Sequence, residues 1–235
     1  MRSKKKYKVS LTENLKNKLL CWSKKFEEVV WLDSNDKNNY SNYSKYTAIL
    51  AVDAFTAVKT DCHQAFKKLE DYQTKTNDWL FGYLTYDLKN DIELLKSNNF
   101  DGLHFPDLYF FQPKRIFLFT NAGVEIQYLN CVEEELETDW EDILNQDINT
   151  YKFKNESTLK ILSRTPKEIY FNRLNKILEY IQRGDIYESN FCQEFYSENA
   201  KIDPSNTFIH LNKISKPPFA TFLRLGNLYA LSASP

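Results

Sequence analysis

The spacing of apolar residues predicts helices and strands in the first half of the chain. Apolar side chains recur three or four positions apart in residues 10–28 and 61–75, which is the helical period. Residues 29–34 and 47–59 are apolar runs bounded by polar turns, and they predict buried strands. Residues 137–147 predict a short helix with an acidic first turn.

Three stretches rich in aromatic and β-branched residues predict further strands. Residues 79–88 form an aromatic strand around Gly82, and a lone glycine in a strand indicates a bulge or a close backbone approach. Residues 105–129 predict a hairpin that turns at Asn-Ala-Gly. Residues 219–234 predict a second hairpin with a two-residue Gly-Asn turn.

The clearest helix begins near residue 165. Thr165 and Glu168 predict a capping box, Pro166 suits the first helical position, and Gly184 is a natural C-terminal stop. One face of this helix carries Tyr170, Leu174, Ile177, Leu178 and Ile181.

Residues 186–198 predict a strand whose two faces both mix polar and apolar side chains. The first face carries Tyr187, Ser189, Phe191, Gln193 and Phe195. The second face carries Ile186, Glu188, Asn190, Cys192, Glu194 and Tyr196. Such a pattern fits a solvent-facing edge strand better than the wall of a pocket. Asp203-Pro204 then predicts the start of another helix.

Hairpins and separate helices, without strict strand–helix alternation, indicate an α+β fold with largely antiparallel sheets and flanking helices. We predict three consecutive segments. These are an N-terminal region over residues 1–150, a polar linker over residues 151–164, and a third region over residues 165–235.

Composition and charge narrow the classes of function. The formal net charge is −1, so the chain lacks the basic footprint of a protein that binds nucleic acid or a membrane surface. The basic run at residues 4–8 is interpreted as a solvated terminus. No apolar leader follows it, and no stretch approaches the roughly 18 apolar residues of a membrane span. We therefore expect a soluble, cytoplasmic protein without nucleic-acid or membrane partners.

The sequence contains 4 cysteines, 3 histidines and only 5 glycines, and they form no recognisable metal, catalytic or phosphate-binding motif. The cysteines lack a CxxC pair, so we expect reduced, mostly buried thiols. They are Cys21, Cys62, Cys131 and Cys192. Clustered carboxylates are expected to be solvated helix faces or caps, because spacing alone does not identify an acid–base pair.

Residues 170–196, YFNRLNKILEYIQRGDIYESNFCQEFY, resemble the chorismate-binding enzymes, which include anthranilate synthase component I and aminodeoxychorismate synthase component I. The family pattern is a helix, then Gly-Asp-Ile-Tyr/Phe-Gln, then a polar strand. Residues 184–187 match it, and Glu188 replaces the glutamine. Residues 216–235 are similar to the family's next block, a Pro-Pro-Phe/Tyr strand and hairpin that leads into Ser-Pro-Glu-Arg-Phe.

The N-terminal half carries further resemblances in the family's order. VVWLDSND (29–36) is similar to a Leu-Leu-x-Ser segment, YSKY (43–46) to a Tyr-Ser-basic-aromatic stretch, and FGYLTYDL (81–88) to Phe-Gly-Tyr-x-x-Tyr-Asp-Leu. Ordered motifs over most of the chain imply an anthranilate synthase component I-like fold, which we expect to be incomplete here. The YSKY and GDIY stretches favour the aminodeoxychorismate branch.

The resemblance implies the N-terminal part of an enzyme that aminates chorismate toward 4-aminobenzoate, in folate-precursor synthesis. Family members remove the C4 hydroxyl of chorismate with Mg²⁺ holding the carboxylate, and a glutamine amidotransferase subunit supplies ammonia. In the aminodeoxychorismate branch a lysine attacks chorismate covalently. The metal and acid groups stabilise the departing hydroxide, and the nucleophile divides the displacement into steps.

The family's catalytic residues are expected outside this chain. The acid is expected directly after Pro235, and the lysine and the Mg²⁺-binding glutamates in later segments. We therefore expect no catalytic and no metal-binding residue within the chain, and no turnover of chorismate by the chain alone.

The resemblance also implies a tryptophan site within the chain. Many family enzymes hold tryptophan between the N-terminal sheet and a later strand, as a feedback inhibitor or a structural ligand. Carried over by motif, the residues of this site are Ser34, Tyr43, Ser44, Lys45, Tyr46, Pro218, Phe219 and Ala220. Hydroxyl and backbone groups suit the ammonium and carboxylate, and aromatic and proline surfaces suit the indole. Judged without the resemblance, Ser34 fits a turn or a helix N-cap better.

Two alternatives stay open. The first is anthranilate synthase component I, of the tryptophan pathway, because the lysine position that separates the branches is expected beyond residue 235. The second is a stand-alone tryptophan-binding regulatory module without catalysis. We expect the isolated chain to be poorly soluble, since family sheets combine strands from both halves of the fold.

Overall fold

The chain folds into two compact units in a computed structural model. The described residues are 1–35, 45–148 and 159–234. One unit comprises Met1–Lys152 together with Pro204–Pro235, and the other comprises Phe153–Asp203. Residues 204–235 therefore belong to the same compact unit as residues 1–152. The two compact units do not coincide with the three consecutive segments that we predicted. Most of the proposed linker lies outside the described residues, and the segment boundaries stay predictions.

Strands and helices alternate irregularly along the chain. The strands are β1 (Arg2–Tyr7), β2 (Glu28–Asp33), β3 (Ala48–Thr60), β4 (Phe81–Leu84), β5 (Leu108–Thr120), β6 (Gly123–Leu129), β7 (Leu162–Ser163), β8 (Phe195–Tyr196), β9 (Phe219–Leu225) and β10 (Leu228–Ser234). The α-helices are α1 (Glu13–Ser23), α2 (Ala65–Thr76), α3 (Lys89–Ile92), α4 (Leu136–Asn145), α5 (Lys167–Arg183) and α6 (Pro204–Ser215). Short 3-10 turns span Tyr86–Leu88 and Asn130–Glu135.

Eight strands form one antiparallel sheet in the first unit. Their order is β1-β6-β5-β3-β2-β9-β10, and β4 pairs with the beginning of β5. The two predicted hairpins, β5–β6 and β9–β10, are both present. These features confirm the predicted α+β class with a largely antiparallel sheet.

Strand alternation divides the core between the two faces of this sheet. On the first face, Trp31 and Phe117 pack with Leu19 of α1, Trp140 of α4 and Phe208 of α6. The second face has its own cluster, which includes Val30, Ile116 and Leu223. Because neighbouring residues of a strand point to opposite faces, β2 contributes to both clusters.

Local signals explain several element ends. Thr12 caps α1, since its hydroxyl accepts a hydrogen bond from the Leu15 N–H at 3.2 Å. Gly184 ends α5 in a left-handed conformation with φ 82°, as predicted. Gly82 marks a close strand approach, because a Cβ there would lie 1.9 Å from the Tyr109 carbonyl oxygen.

Of three further local predictions, one is confirmed and two are wrong. The basic run at residues 4–8 is solvated, since its four lysines are exposed, and residues 2–7 also form β1 and pair with β6. The strand predicted over residues 79–88 is limited to β4 and gives way to a 3-10 turn. The cysteines are free, but Cys131 and Cys192 are exposed rather than buried.

In the second unit, α5 confirms the predicted helix but not its capping box. Pro166 takes the N-cap position, and no side chain caps the helix there. The predicted apolar stripe is half-buried at Tyr170, Leu174, Ile177 and Ile181, and Leu178 is exposed. Tyr170 stacks on Phe191 with ring centroids 4.9 Å apart.

The long strand predicted over residues 186–198 is wrong. Only β8 is a strand, and it pairs with β7 through Leu162↔Tyr196 and Ser163↔Phe195. A strand needs a partner for its backbone groups, and β7 offers only two positions. The mixed polarity of this segment therefore reflects exposure, consistent with Tyr187 being 93% exposed.

Candidate functional site

The predicted tryptophan-site residues that the structure describes lie at one end of three adjacent strands, β3, β2 and β9. Asp33, the last residue of β2, pairs with Ala48 at the start of β3 and with Ala220 in β9. Ser34 directly follows Asp33, and Tyr46 precedes β3 by two residues. Tyr43 and Ser44 lie outside the described residues. Residues distant in sequence thus meet where these three strands end.

Ser34 closes the end of the β2–β3 pair. Its backbone N–H and its hydroxyl both donate to the Thr47 carbonyl oxygen, at 3.0 and 2.9 Å. The side chain is half-buried. The hydroxyl proton of Ser34 is therefore held within the protein.

Tyr46 supplies an aromatic wall on the second face of the sheet. It packs against the cluster that contains Leu32, and its ring meets Trp79 edge-on at 6.2 Å. Lys45 is exposed, and its Nζ lies 5.3 Å from the centre of the Tyr46 ring. This face therefore combines a flat apolar surface with a nearby cation.

The three site residues predicted in the later strand differ in their exposure to solvent. Phe219 is 69% exposed, and Pro218 is also exposed. Ala220 is buried, and its methyl group belongs to the first-face cluster. By alternation, only the backbone of Ala220 is available on the Ser34 side, whereas the Phe219 side chain lies on that side.

Sequence reasoning missed a buried ion pair beside these strand ends. Lys16 of α1 contacts Asp33 with Nζ and Oδ2 2.6 Å apart, and Asp33 Oδ1 accepts from the Asn35 N–H at 2.9 Å. Lys16 and Asp33 are 9% and 3% exposed. The sequence around Lys16 mixes polar and apolar residues and does not indicate that this lysine is buried. The Leu-Asp-Ser-Asn stretch at residues 32–35, which contains its partner Asp33, was the one feature that could have pointed to the pair.

Thr47 was also missed. Its Oγ1 is buried and has no hydrogen-bond partner among the described residues. Thr47 lines a cavity of about 350 Å³, together with Lys16, Asp33 and Asn35. Buried polar atoms are normally hydrogen-bonded, so this hydroxyl is a group that a water or a ligand could satisfy.

Arg115 is the centre of the most perturbed charged cluster, but the cluster is structural. Its guanidinium contacts Asp53, Glu135 and Asp139, and Asp139 also accepts from the Tyr128 hydroxyl. Burial, reinforced by Asp139, raises the pKa of Tyr128 far above its usual range. Each charged group has an internal partner, which leaves the cluster no evident task in catalysis.

The described residues contain no group of three or more His, Cys, Asp and Glu side chains placed to hold a metal ion. In the same part of the chain, no helix is both long and apolar enough to cross a membrane.

The family model for chorismate binding enzymes matches residues 22–235. Curated relatives include an anthranilate synthase component I-like protein from Synechocystis, 26% identical over 170 residues that cover 72% of this chain and 35% of the relative. Aminodeoxychorismate synthase component 1 from Bacillus subtilis is 24% identical, with 74% of this chain and 40% of the relative covered. The chain thus spans well under half the length of these relatives.

Solved structures show the same fold. Anthranilate synthase component I from Streptococcus pneumoniae superimposes with a TM-score of 0.66 and 15% identity, covering 85% of this chain and 53% of that one. The isochorismate synthase MenF from Escherichia coli superimposes with a TM-score of 0.50 and 7% identity, covering 99% and 50%. At these identities the likeness concerns the fold alone.

Proposed function

Because this chain belongs to the chorismate-binding enzyme family, we propose that it is the N-terminal part of an aminodeoxychorismate synthase component I-like enzyme. Such an enzyme aminates chorismate toward 4-aminobenzoate. The family match supports chorismate as the substrate. The YSKY and GDIY motifs favour this branch, whereas the curated relatives carry the names of both branches.

Mg²⁺ and a glutamine amidotransferase subunit belong to this proposal as cofactor and ammonia source. The described residues hold no acidic cluster that would fit a metal ion. The resemblance assigns the catalytic groups to later family segments, so the proposal gives these residues no catalytic step. Their proposed task is to bind an amino acid, tryptophan, and to support the catalytic segments of the family.

The observation that carries the tryptophan site is the convergence of Ser34, Tyr46 and Phe219. Strand alternation puts the side chains of Ser34 and Phe219 on the second face of the sheet, at the ends of β2 and β9, and Tyr46 packs against the cluster on that face. The Ser34 hydroxyl is the polar group assigned to the ammonium group, and Tyr46 offers a ring for the indole. Lys45 supplies a positive charge near the carboxylate.

Turnover tests the enzymatic part. The 235-residue chain, given chorismate, ammonium ions and Mg²⁺, is expected to leave chorismate unchanged. A protein that joins these residues to the remaining family segments is expected to form aminodeoxychorismate, measured as 4-aminobenzoate after lyase treatment. Product from the chain alone would contradict the proposal, and fluorescent anthranilate would support the anthranilate synthase alternative.

Calorimetry with L-tryptophan tests the binding site. Tyr46→Ala is expected to weaken binding by about tenfold or more, because an aromatic contact is lost. Tyr86→Ala is the matched control, since Tyr86 is 85% exposed and lies away from the site. A folded chain that binds no tryptophan would remove this part of the proposal.

A stand-alone tryptophan-binding module is the second candidate. It is favoured by one observation: the described site residues all belong to the first unit. This candidate requires tight tryptophan binding together with no amination activity when the other family segments are supplied.

A further inference from the structure

A second cavity shares Lys16, Asp33 and Asn35 with the cavity beside Thr47 and extends over the face of the sheet opposite Ser34. It has a volume of about 680 Å³ and lies between α1, α6 and the end of β2. Trp31 and Asp33 line it, and strand alternation separates them from Leu32 and Ser34. All lining residues belong to the first unit. The volume falls in the range of roughly 300–1,000 Å³ that small-molecule sites occupy.

The floor of this cavity is apolar and belongs to the core. Its wall includes Leu20, Trp31 and Phe208, which are at most 3% exposed. Phe208 also packs against Phe222 in β9, with ring centroids 5.7 Å apart. These side chains present little free surface themselves, so a flat apolar body would lie over them and against the half-buried Ile209, without rearranging the core.

A buried cation with spare hydrogen-bonding capacity lies in the wall. The Lys16 ammonium group has three N–H donors, and its hydrogen bond goes to Asp33. The Glu13 carboxylate is 3.7 Å from Lys16 Nζ, which is beyond hydrogen-bond distance. Lys16 therefore has donors left for an anionic group, and leaving them unused in a buried position is costly.

The rim adds positive charge. Lys213 and Lys216 are exposed, line the cavity, and have no ion-pair partner among the described residues. Asn35 and Asn212 link the end of β2 to α6 through a 2.7 Å amide–amide hydrogen bond, and Asn35 also donates to the Pro217 carbonyl at 2.8 Å. These bonds hold the cationic end of α6 beside the opening.

We propose that this cavity is a binding site for a small aromatic carboxylate. The ring lies against Ile209, over the floor that Leu20, Trp31 and Phe208 form, and the carboxylate accepts hydrogen bonds from Lys16 and is attracted by Lys213 and Lys216. This site is separate from the predicted tryptophan site, and it does not depend on the proposed enzymatic function.

Titration of the full chain with 2-naphthoate tests the proposal, with the uncharged 2-naphthamide as a ligand of the same shape. Naphthoate is expected to bind, naphthamide to bind about tenfold more weakly, and the affinity for naphthoate to fall as salt is raised. Amide chemical-shift changes are expected at α1 and α6. Absence of naphthoate binding by the folded chain, or its competition by L-tryptophan, overturns the proposal.

Two variants locate the site. Asn17→Phe places a ring in the cavity from a half-buried position of α1 and is expected to abolish binding. Lys213→Glu/Lys216→Glu is expected to weaken naphthoate binding about tenfold or more. Lys8→Glu/Lys59→Glu changes the net charge equally at exposed positions away from the cavity and is expected to bind normally. Binding that survives both cavity variants contradicts the proposed location.

Discussion

Arg115 donates from Nε to Asp139 Oδ2 over 3.0 Å, and both side chains are almost entirely buried. Arg115 is in β5 and Asp139 is in α4, so this pair fixes the helix to the first face of the sheet. Asp139 also accepts from Tyr128 at 3.0 Å and pairs with Lys25. Burial would lower the pKa of Arg115, but the neighbouring Tyr128 and Asp139 raise it.

Arg115→Met is expected to destabilise the fold by about 3–5 kcal/mol, because it leaves the buried Asp139 and the half-buried Asp53 without the guanidinium that they share. Urea unfolding followed by circular dichroism measures this. Arg183→Met is the control, since Arg183 pairs with Asp185 at the surface and such pairs contribute less than about 1 kcal/mol. Equal effects of the two substitutions would show that the buried cluster does not stabilise the fold.

Gly82→Ala is expected to cost about 1–3 kcal/mol or more and to detach β4 from β5, because its Cβ would lie 1.9 Å from the Tyr109 carbonyl oxygen. Gly226→Ala is the comparison: it meets no atom within 4 Å, and only its φ of +60° opposes it. That conformation costs about 1–2 kcal/mol. Thermal melts of both variants should rank Gly82→Ala as the more damaging; the reverse order would contradict the close approach.

Asp78 gives a pH-dependent contribution to stability. Burial alone would raise the pKa of Asp78, but hydrogen bonds from Arg2, Gln112 and the Trp79 backbone hold it below its ordinary value. Because the pKa of Asp78 is lower in the folded state, its ionisation stabilises the protein at pH values above the unfolded-state pKa of about 3.9. This stabilisation is lost as the pH falls through the folded-state pKa.

Asp78→Asn is therefore expected to lower the urea midpoint at pH 7, and the difference from the parent chain should shrink below about pH 3. Asp71→Asn, at an exposed position of α2, should change the midpoint little at either pH. A difference for Asp78→Asn that stays constant between these pH values would argue against an ionised Asp78 as the cause.

Thr47→Val is expected to leave stability unchanged or to raise it by about 1 kcal/mol. The substitution removes a buried hydroxyl that lacks a hydrogen bond in the described part of the chain, and valine suits the strand β3 that follows. Chemical unfolding measures the change, with Thr56→Val as the control, because Thr56 Oγ1 lies 2.8 Å from the Tyr72 hydroxyl. A clear loss of stability for Thr47→Val would indicate that a bound water satisfies this hydroxyl.

Periodicity identified most elements because their cause is local. The hairpin from β9 to β10 turns at Gly226-Asn227, and α5 stops at Gly184, where each glycine takes a positive φ. The strand predicted over residues 186–198 failed for the opposite reason. A strand depends on a partner elsewhere in the chain, and here β7 pairs with only two of its residues.

The sequence by itself determined the family, the α+β class and the motif residues, because these depend on residue identity and order. Only the tertiary structure decided that Ala220 turns its methyl group away from the Ser34 side, since this follows from the register of β9 on β2. The burial of Lys16 against Asp33 was likewise decided there. A charged residue carries no local mark of burial, because burial is a property of what packs against it.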